Sequence, residues 1–190
     1  MTEWRAASVE LTRRLTGRLA DHVLVSARSL LAADERDVMA GMLVHTLALF
    51  GIPVDQHELD LLSVVAGRPD EPVGGVVLEP DAGRLRYRFE PRTPGPPDRD
   101  LDHRHVLTWA AGNPTTARRV LLAWREPEDG APMPPGWIYL LEIAEPGEVA
   151  GVQAAVQLTP GAVGVEVMAT GEHLPPYQAA VLAAGRQIWP

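Results

Sequence analysis

Val149 to Pro190 reads VAGVQAAVQLTPGAVGVEVMATGEHLPPYQAAVLAAGRQIWP. Val152, Ala154, Val156 and Leu158 alternate with Gly151, Gln153, Ala155 and Gln157. A period of two, followed by a Pro-Gly turn, marks a half-buried strand. Thr159-Pro160-Gly161-Ala162 is that turn. Beyond it Val163, Val165 and Val167 face one way, and Gly164 and Glu166 the other. One apolar face and one polar face predict an antiparallel sheet with one wet side. Tyr177, Val181, Ala184 and Ile188 then fall at helical spacing, with Pro175 or Pro176 in the first turn. The pattern predicts a terminal helix ending on Trp189 that covers the sheet.

Working outward, Val120, Leu122 and Trp124 alternate with Leu121, Ala123 and Arg125. Trp137 to Ile143 reads as a second strand after a Pro-rich connection from Glu126 to Gly136. The order from 115 to 190 is thus ββββα, a meander with a covering helix. Leu101 to Ala111 reads as a helix stopped by Gly112-Asn113-Pro114. Val76–Leu78 and Leu85–Phe89 read as a hairpin around Pro80-Asp81-Ala82-Gly83. Residues 91–100, PRTPGPPDRD, suit neither helix nor sheet.

Residues 3–67 are read as helical. Trp4, Ala7, Leu11 and Leu15 share one stripe, and Leu19, Val23, Ala27, Leu30 and Leu31 another. Asp34 is placed to cap a third helix. Val38 to Phe50 is apolar nearly all round, which suggests a central helix or a subunit contact. Asp55, with Glu58 three residues on, predicts a capping box. The division expected is a helical segment 1–67, a hairpin and Pro-rich linker 68–100, and an α+β segment 101–190. The fold class is α+β, with helices packed with a mainly antiparallel sheet.

Composition narrows the function. There is no Cys, which excludes disulfides, thiolate catalysis and Cys-based zinc sites. All 17 basic residues are Arg, so neither a Lys Schiff base nor a phosphate-loop Lys exists. The net charge of −8 disfavours nucleic acid and steers towards a basic protein partner. No apolar run approaches a membrane span, and Glu3, Arg5, Glu10, Arg13 and Arg14 break any signal-peptide core. The expectation is a cytoplasmic protein with no membrane, nucleic-acid or cofactor partner.

No motif carries a chemistry. Asp102-His103-Arg104-His105 is metal-like, but on a helix its two histidines point apart and no third ligand follows. His57-Glu58 lacks the second histidine of a metalloprotease helix. His45 and His22 read as buried, hydrogen-bonded histidines. Ser8, Ser26, Ser29 and Ser63 fall in helices, and none sits in a nucleophile elbow. Gly74-Gly75 follows no strand and opens no helix, unlike a phosphate loop. Glu142, Glu166, His103, His105 and Arg125 are the polar groups available to a pocket between the helical segment and the sheet. Arg84, Arg86 and Arg88 form a row on one side of a strand, suited to carboxylates, phosphates or water. Trp109, Trp124, Trp137 and Trp189 stand out among few aromatics, suited to binding hot spots or to the core as large residues.

Gly151 to Trp189 resembles actinobacterial proteins described as type III secretion chaperone-like. The likeness lies in a Val-Gln strand, the Val165-Glu166-Val167 strand, Leu174-Pro175-Pro176 and a helix ending near Trp189. It extends over Trp124 to Ile143, and the helical first half departs from it. The resemblance implies a compact α+β fold and, by analogy, binding to another protein. It carries no catalytic residue. The functional expectation is a non-enzymatic binding protein, chaperone-like, accessory or immunity-like, whose binding residues are Trp124, Trp137, Arg84, Arg86 and Arg88. The alternative is an enzyme or small-ligand protein. A homo-oligomer built on the 38–50 helix is a further possibility.

Overall fold

A computed structural model describes residues 2–69, 71, 73–92, 101–157 and 164–190. The fold class is α+β, as expected from sequence: seven helices and a mixed sheet of five strands lie among the described residues. The chain divides into two compact units, Met1–Leu85 and Arg86–Pro190.

The first unit packs α1 (Glu3–Arg14), α2 (Asp21–Ala32), α3 (Arg36–Leu49) and α4 (Gln56–Val65). α1 lies against α4 and α2 against α3. Leu11, Leu15, Leu24, Leu31, Leu43, Leu47 and Leu62 form the core. Gly17 breaks the first two helices apart with φ 82°, a backbone geometry that glycine adopts without penalty. The capping box at Asp55 and Glu58 is present. Glu58, only 1% exposed, also takes the guanidinium of Arg18, which in turn donates to the carbonyl of Pro53. One carboxylate therefore starts α4 and ties it to the turn after α1. Arg36 closes the other end of α4 by donating to the carbonyls of Val64 and Val65 in its last turn, where a helix runs short of its own N–H donors.

Asp34 does not cap α3. It adopts φ 64° and accepts from Arg5, while Glu35 occupies the N-cap position without a side-chain bond. His22 and His45 are exposed rather than buried, because each lies on the outer side of its helix. α3 buries Met39, Ala40, Leu43 and Leu47, and leaves Val38, Leu49 and Phe50 outside, with Phe50 69% exposed. Val76–Leu78 forms no hairpin. Leu78 instead bridges Val54, whose N–H donates to the carbonyl of Val77 over 2.9 Å.

The second unit is built on β2 (Ala117–Pro127). Along one edge it pairs antiparallel with β3 (Gly136–Ile143). A strand has only two edges, so β1 (Tyr87–Glu90) and β5 (Arg186–Trp189) share the other. β1 pairs with Trp124–Pro127, and β5 with Val120–Leu122. β4 (Val165–Ala169) lies parallel to β3 on its far side. α5 (Leu101–Gly112) approaches β2 and β3, α6 (Val149–Gln157) approaches β4, and α7 (Pro176–Ala184) crosses β1, β2 and β3.

Parallel pairing overturns the meander. Two parallel neighbours need a crossover of a dozen or so residues, not a turn. Residues 149–157 are therefore the helix α6, not a strand. Val149, Val152, Gln153, Val156 and Gln157 are its buried stripe, which matches a helical period as well as the alternation matches a strand. The Thr159–Ala162 turn, with Leu158 and Val163, lies outside the described residues, as do residues 93–100 of the Pro-rich stretch. The sheet has no wet face across β4: all five of its residues are buried, Glu166 included. The final helix ends at Ala184, and Ile188 and Trp189 belong to β5. Gly185 makes that corner. A Cβ there would lie 2.8 Å from the carbonyl oxygen of Val181 and 3.0 Å from the Cβ of Leu121.

β4 is the last strand of the sheet, and side chains close its outer edge. The amide of Gln153 donates to the carbonyl of Val165 and accepts from the N–H of Val167, both at 2.8 Å. Glu172 accepts from the N–H of Ala169 at 2.9 Å. A bare edge is a template for pairing with another chain, and these contacts occupy it. Gln153→Ala should lower stability by about 1 kcal/mol, since the buried N–H of Val167 loses this acceptor, while the carbonyl of Val165 still accepts from Gln157 at 3.3 Å. Urea denaturation of the variant against wild type measures it. Gly164→Ala should cost about 3 kcal/mol or more, because an added Cβ would sit 2.2 Å from the carbonyl oxygen of Trp137 and push β4 off β3. A thermal midpoint equal to that of wild type would contradict this packing.

Candidate functional site

Alternation along the strands sends Arg88 and Glu90 of β1, Trp124 and Glu126 of β2 and Trp137 of β3 to one face. Register brings them together: Glu90 stands opposite Trp124, Arg88 opposite Glu126, and Trp124 opposite Trp137. The two indoles meet edge to face, with centroids 5.0 Å apart and planes at 78°. The indole N–H of Trp124 donates to Glu126 Oε2 at 2.8 Å, a contact that residues two apart on a strand make naturally.

Arg92, just past β1, completes the group. Its guanidinium carbon lies 4.9 Å from the centroid of a Trp124 ring. Its Nε donates to Glu90 at 2.9 Å, and its Nη2 donates to the same Glu126 oxygen at 3.0 Å. Both Trp side chains are half-buried. The arrangement is an indole corner with two carboxylates beside it and a guanidinium lying on one ring. Nothing in it polarises a bond or generates a nucleophile. It offers contact area, cation–π attraction and hydrogen-bond acceptors.

The structure therefore unites Trp124 and Trp137 but divides the arginine row. Arg88 is exposed on this face. Arg86 is exposed just before β1 and donates to the carbonyl of Gly130 at 3.4 Å. Arg84 is exposed and belongs to the first unit. Sequence reading missed Glu90, Arg92 and Glu126. The period of two could have found Glu126 beside Trp124. Arg92 sits in a Pro-rich stretch with no periodicity to place it.

The polar groups proposed for a pocket do not converge. Register sends Arg125, Glu142 and Glu166 to the opposite face, under α7. Glu142 binds Arg119 and accepts from Thr170 at 2.8 Å. Glu166, 4% exposed, accepts from Gln178 of α7 at 2.9 Å. Arg125, 3% exposed, donates to the Tyr177 hydroxyl and to the carbonyl of Pro134, both at 3.2 Å, and faces the Tyr87 ring. Tyr177 also meets Phe89 edge-on at 5.0 Å. His103 lies on the other side of the sheet, 5.9 Å from the Tyr139 ring. These contacts fasten α7 and the strands, and polar groups buried under a helix require such partners.

Among the described residues, no group of three or more His, Asp or Glu gathers to hold a metal. Nor is any described helix long and apolar enough to cross a membrane. Comparison with models of known protein families, with curated proteins and with solved structures finds no match.

Glu166→Ala should cost about 1–2 kcal/mol, because the buried Gln178 amide loses its 2.9 Å bond to Glu166. Chemical denaturation followed by far-ultraviolet circular dichroism checks it, and an unchanged midpoint would show that the pair does not fasten α7.

Proposed function

We propose that the chain is a non-enzymatic protein-binding protein, of a chaperone-like, accessory or immunity-like kind. It holds its partner on the sheet face that carries Trp124 and Trp137. The observation that carries this reading is the half-buried indole pair, oriented by Glu126 and flanked by charged residues. Tryptophan in such a setting dominates many protein interfaces. The acidic chain favours encounter with a basic partner. The resemblance of Gly151 to Trp189 to secretion chaperone-like proteins points the same way. The other reading, an enzyme or small-ligand protein, gains nothing from Glu142, Glu166 and Arg125, whose contacts are with neighbouring strands and α7.

Affinity purification from the native host tests the proposal. Wild type should retain a stoichiometric partner. Trp124→Ala and Trp137→Ala should each weaken binding by about 2 kcal/mol or more, roughly thirtyfold, as isothermal titration with the purified partner reads it. A partner that both variants bind as wild type does would move the interface elsewhere.

A further inference from the structure

We infer that the Trp124 site selects an arginine side chain of its partner, and that the chain's own Arg92 occupies that position until the partner displaces it. The inference rests on the binding function proposed above.

Three observations define the position. The Trp124 ring supplies a flat π surface 4.9 Å from a guanidinium carbon. Glu90 and Glu126 accept from two different nitrogens of that guanidinium, Nε at 2.9 Å and Nη2 at 3.0 Å. The Trp137 ring meets the Trp124 ring edge to face, at 78° and 5.0 Å. A planar cation with donors around its rim fits this geometry. A compact ammonium can reach one carboxylate but cannot lie flat on the ring while its edge serves both.

The present occupant is weakly held. The Arg92 side chain is 44% exposed, as is that of Glu90, and that of Glu126 is 33% exposed. Ion pairs this wet contribute little to stability, so displacement costs little. Removing Arg92 leaves Glu90 and Glu126 facing an uncovered indole, in a chain whose net charge is already −8. Arg88 stands opposite Glu126 on the same face and repels further positive charge. The site therefore takes one guanidinium rather than a basic run. A resident competitor lowers the apparent affinity for an incoming one by the fraction of time that the site is open.

The experiment is a titration of the full chain with the peptide acetyl-Gly-Arg-Gly-amide. It is followed by the indole N–H resonance of Trp124, assigned with Trp124→Phe. Arg92→Ala should bind the peptide about fivefold more tightly than wild type, since a resident held by about 1 kcal/mol leaves the site open roughly a fifth of the time. Glu126→Gln added to Arg92→Ala should abolish the shift. The citrulline peptide, equal in shape but neutral, should leave the resonance in place, and the lysine peptide should bind more weakly. Equal affinity of wild type and Arg92→Ala would overturn the inference, as would citrulline matching arginine or no shift in either protein. These failures are separable from failure of the binding function. A partner still lost on Trp124→Ala, alongside citrulline matching arginine, would keep the interface and remove only its selection of a cation.

Discussion

A strand laid parallel to its predecessor cannot be reached through a tight turn, and here β4 lies parallel to β3. The chain must leave the sheet after Ile143, cross over, and return at Gly164. α6 is that crossover. The return brings Gly164 so close to the Trp137 carbonyl that no side chain fits. It also leaves β4 as a border strand, and α6 is placed to close that border through Gln153. Crossover, bare glycine and sealed edge are three consequences of one pairing.

The opposite border is settled by β2. Its eleven residues exceed what β1 or β5 alone can cover, so the two short strands divide its free edge. α7 leads directly into β5 and packs beneath the sheet through Tyr177 and Gln178. With helices approaching both faces, the middle of β2 from Val120 to Ala123 is buried throughout. A sheet covered on both sides reads as a continuous apolar run rather than a clean alternation. For the same reason Glu166 and Arg125 serve the packing of α7, and the polar positions in these strands are poor guides to chemistry.

The Trp124 and Trp137 pair gathers groups from three strands and from the residue Arg92 beyond β1. Its members are ordinary surface residues one by one. What joins them is the shared Glu126 oxygen, which accepts from an indole and a guanidinium together. Such a group suits reversible contact with another chain. It contains no general base, nucleophile or oxyanion donor in a mutual arrangement that chemistry would need.

Local patterns were enough for the class of the fold, α1 to α5, the core of β2 and β3, and the capping box at Asp55, because each rests on contacts within a few residues. The strand predicted over 149–158 failed because Val152 and Val156 satisfy a period of two and a helical stripe alike, and only the direction of β4 separates them. Ile188 continued the spacing of α7 but was claimed by the open edge at Val120–Leu122, a partner more than sixty residues away in the chain. The two tryptophans stood out in the sequence among few aromatics. The site did not, since register between β1 and β2 places Glu90 and Arg92 beside them, and register is a property of paired strands. Propensity, spacing and caps along the chain set which segments could be helix or strand. Tertiary structure alone decided which strand ran parallel, which edge β5 filled and which charges met the indoles, because each depends on contacts between residues far apart in the chain.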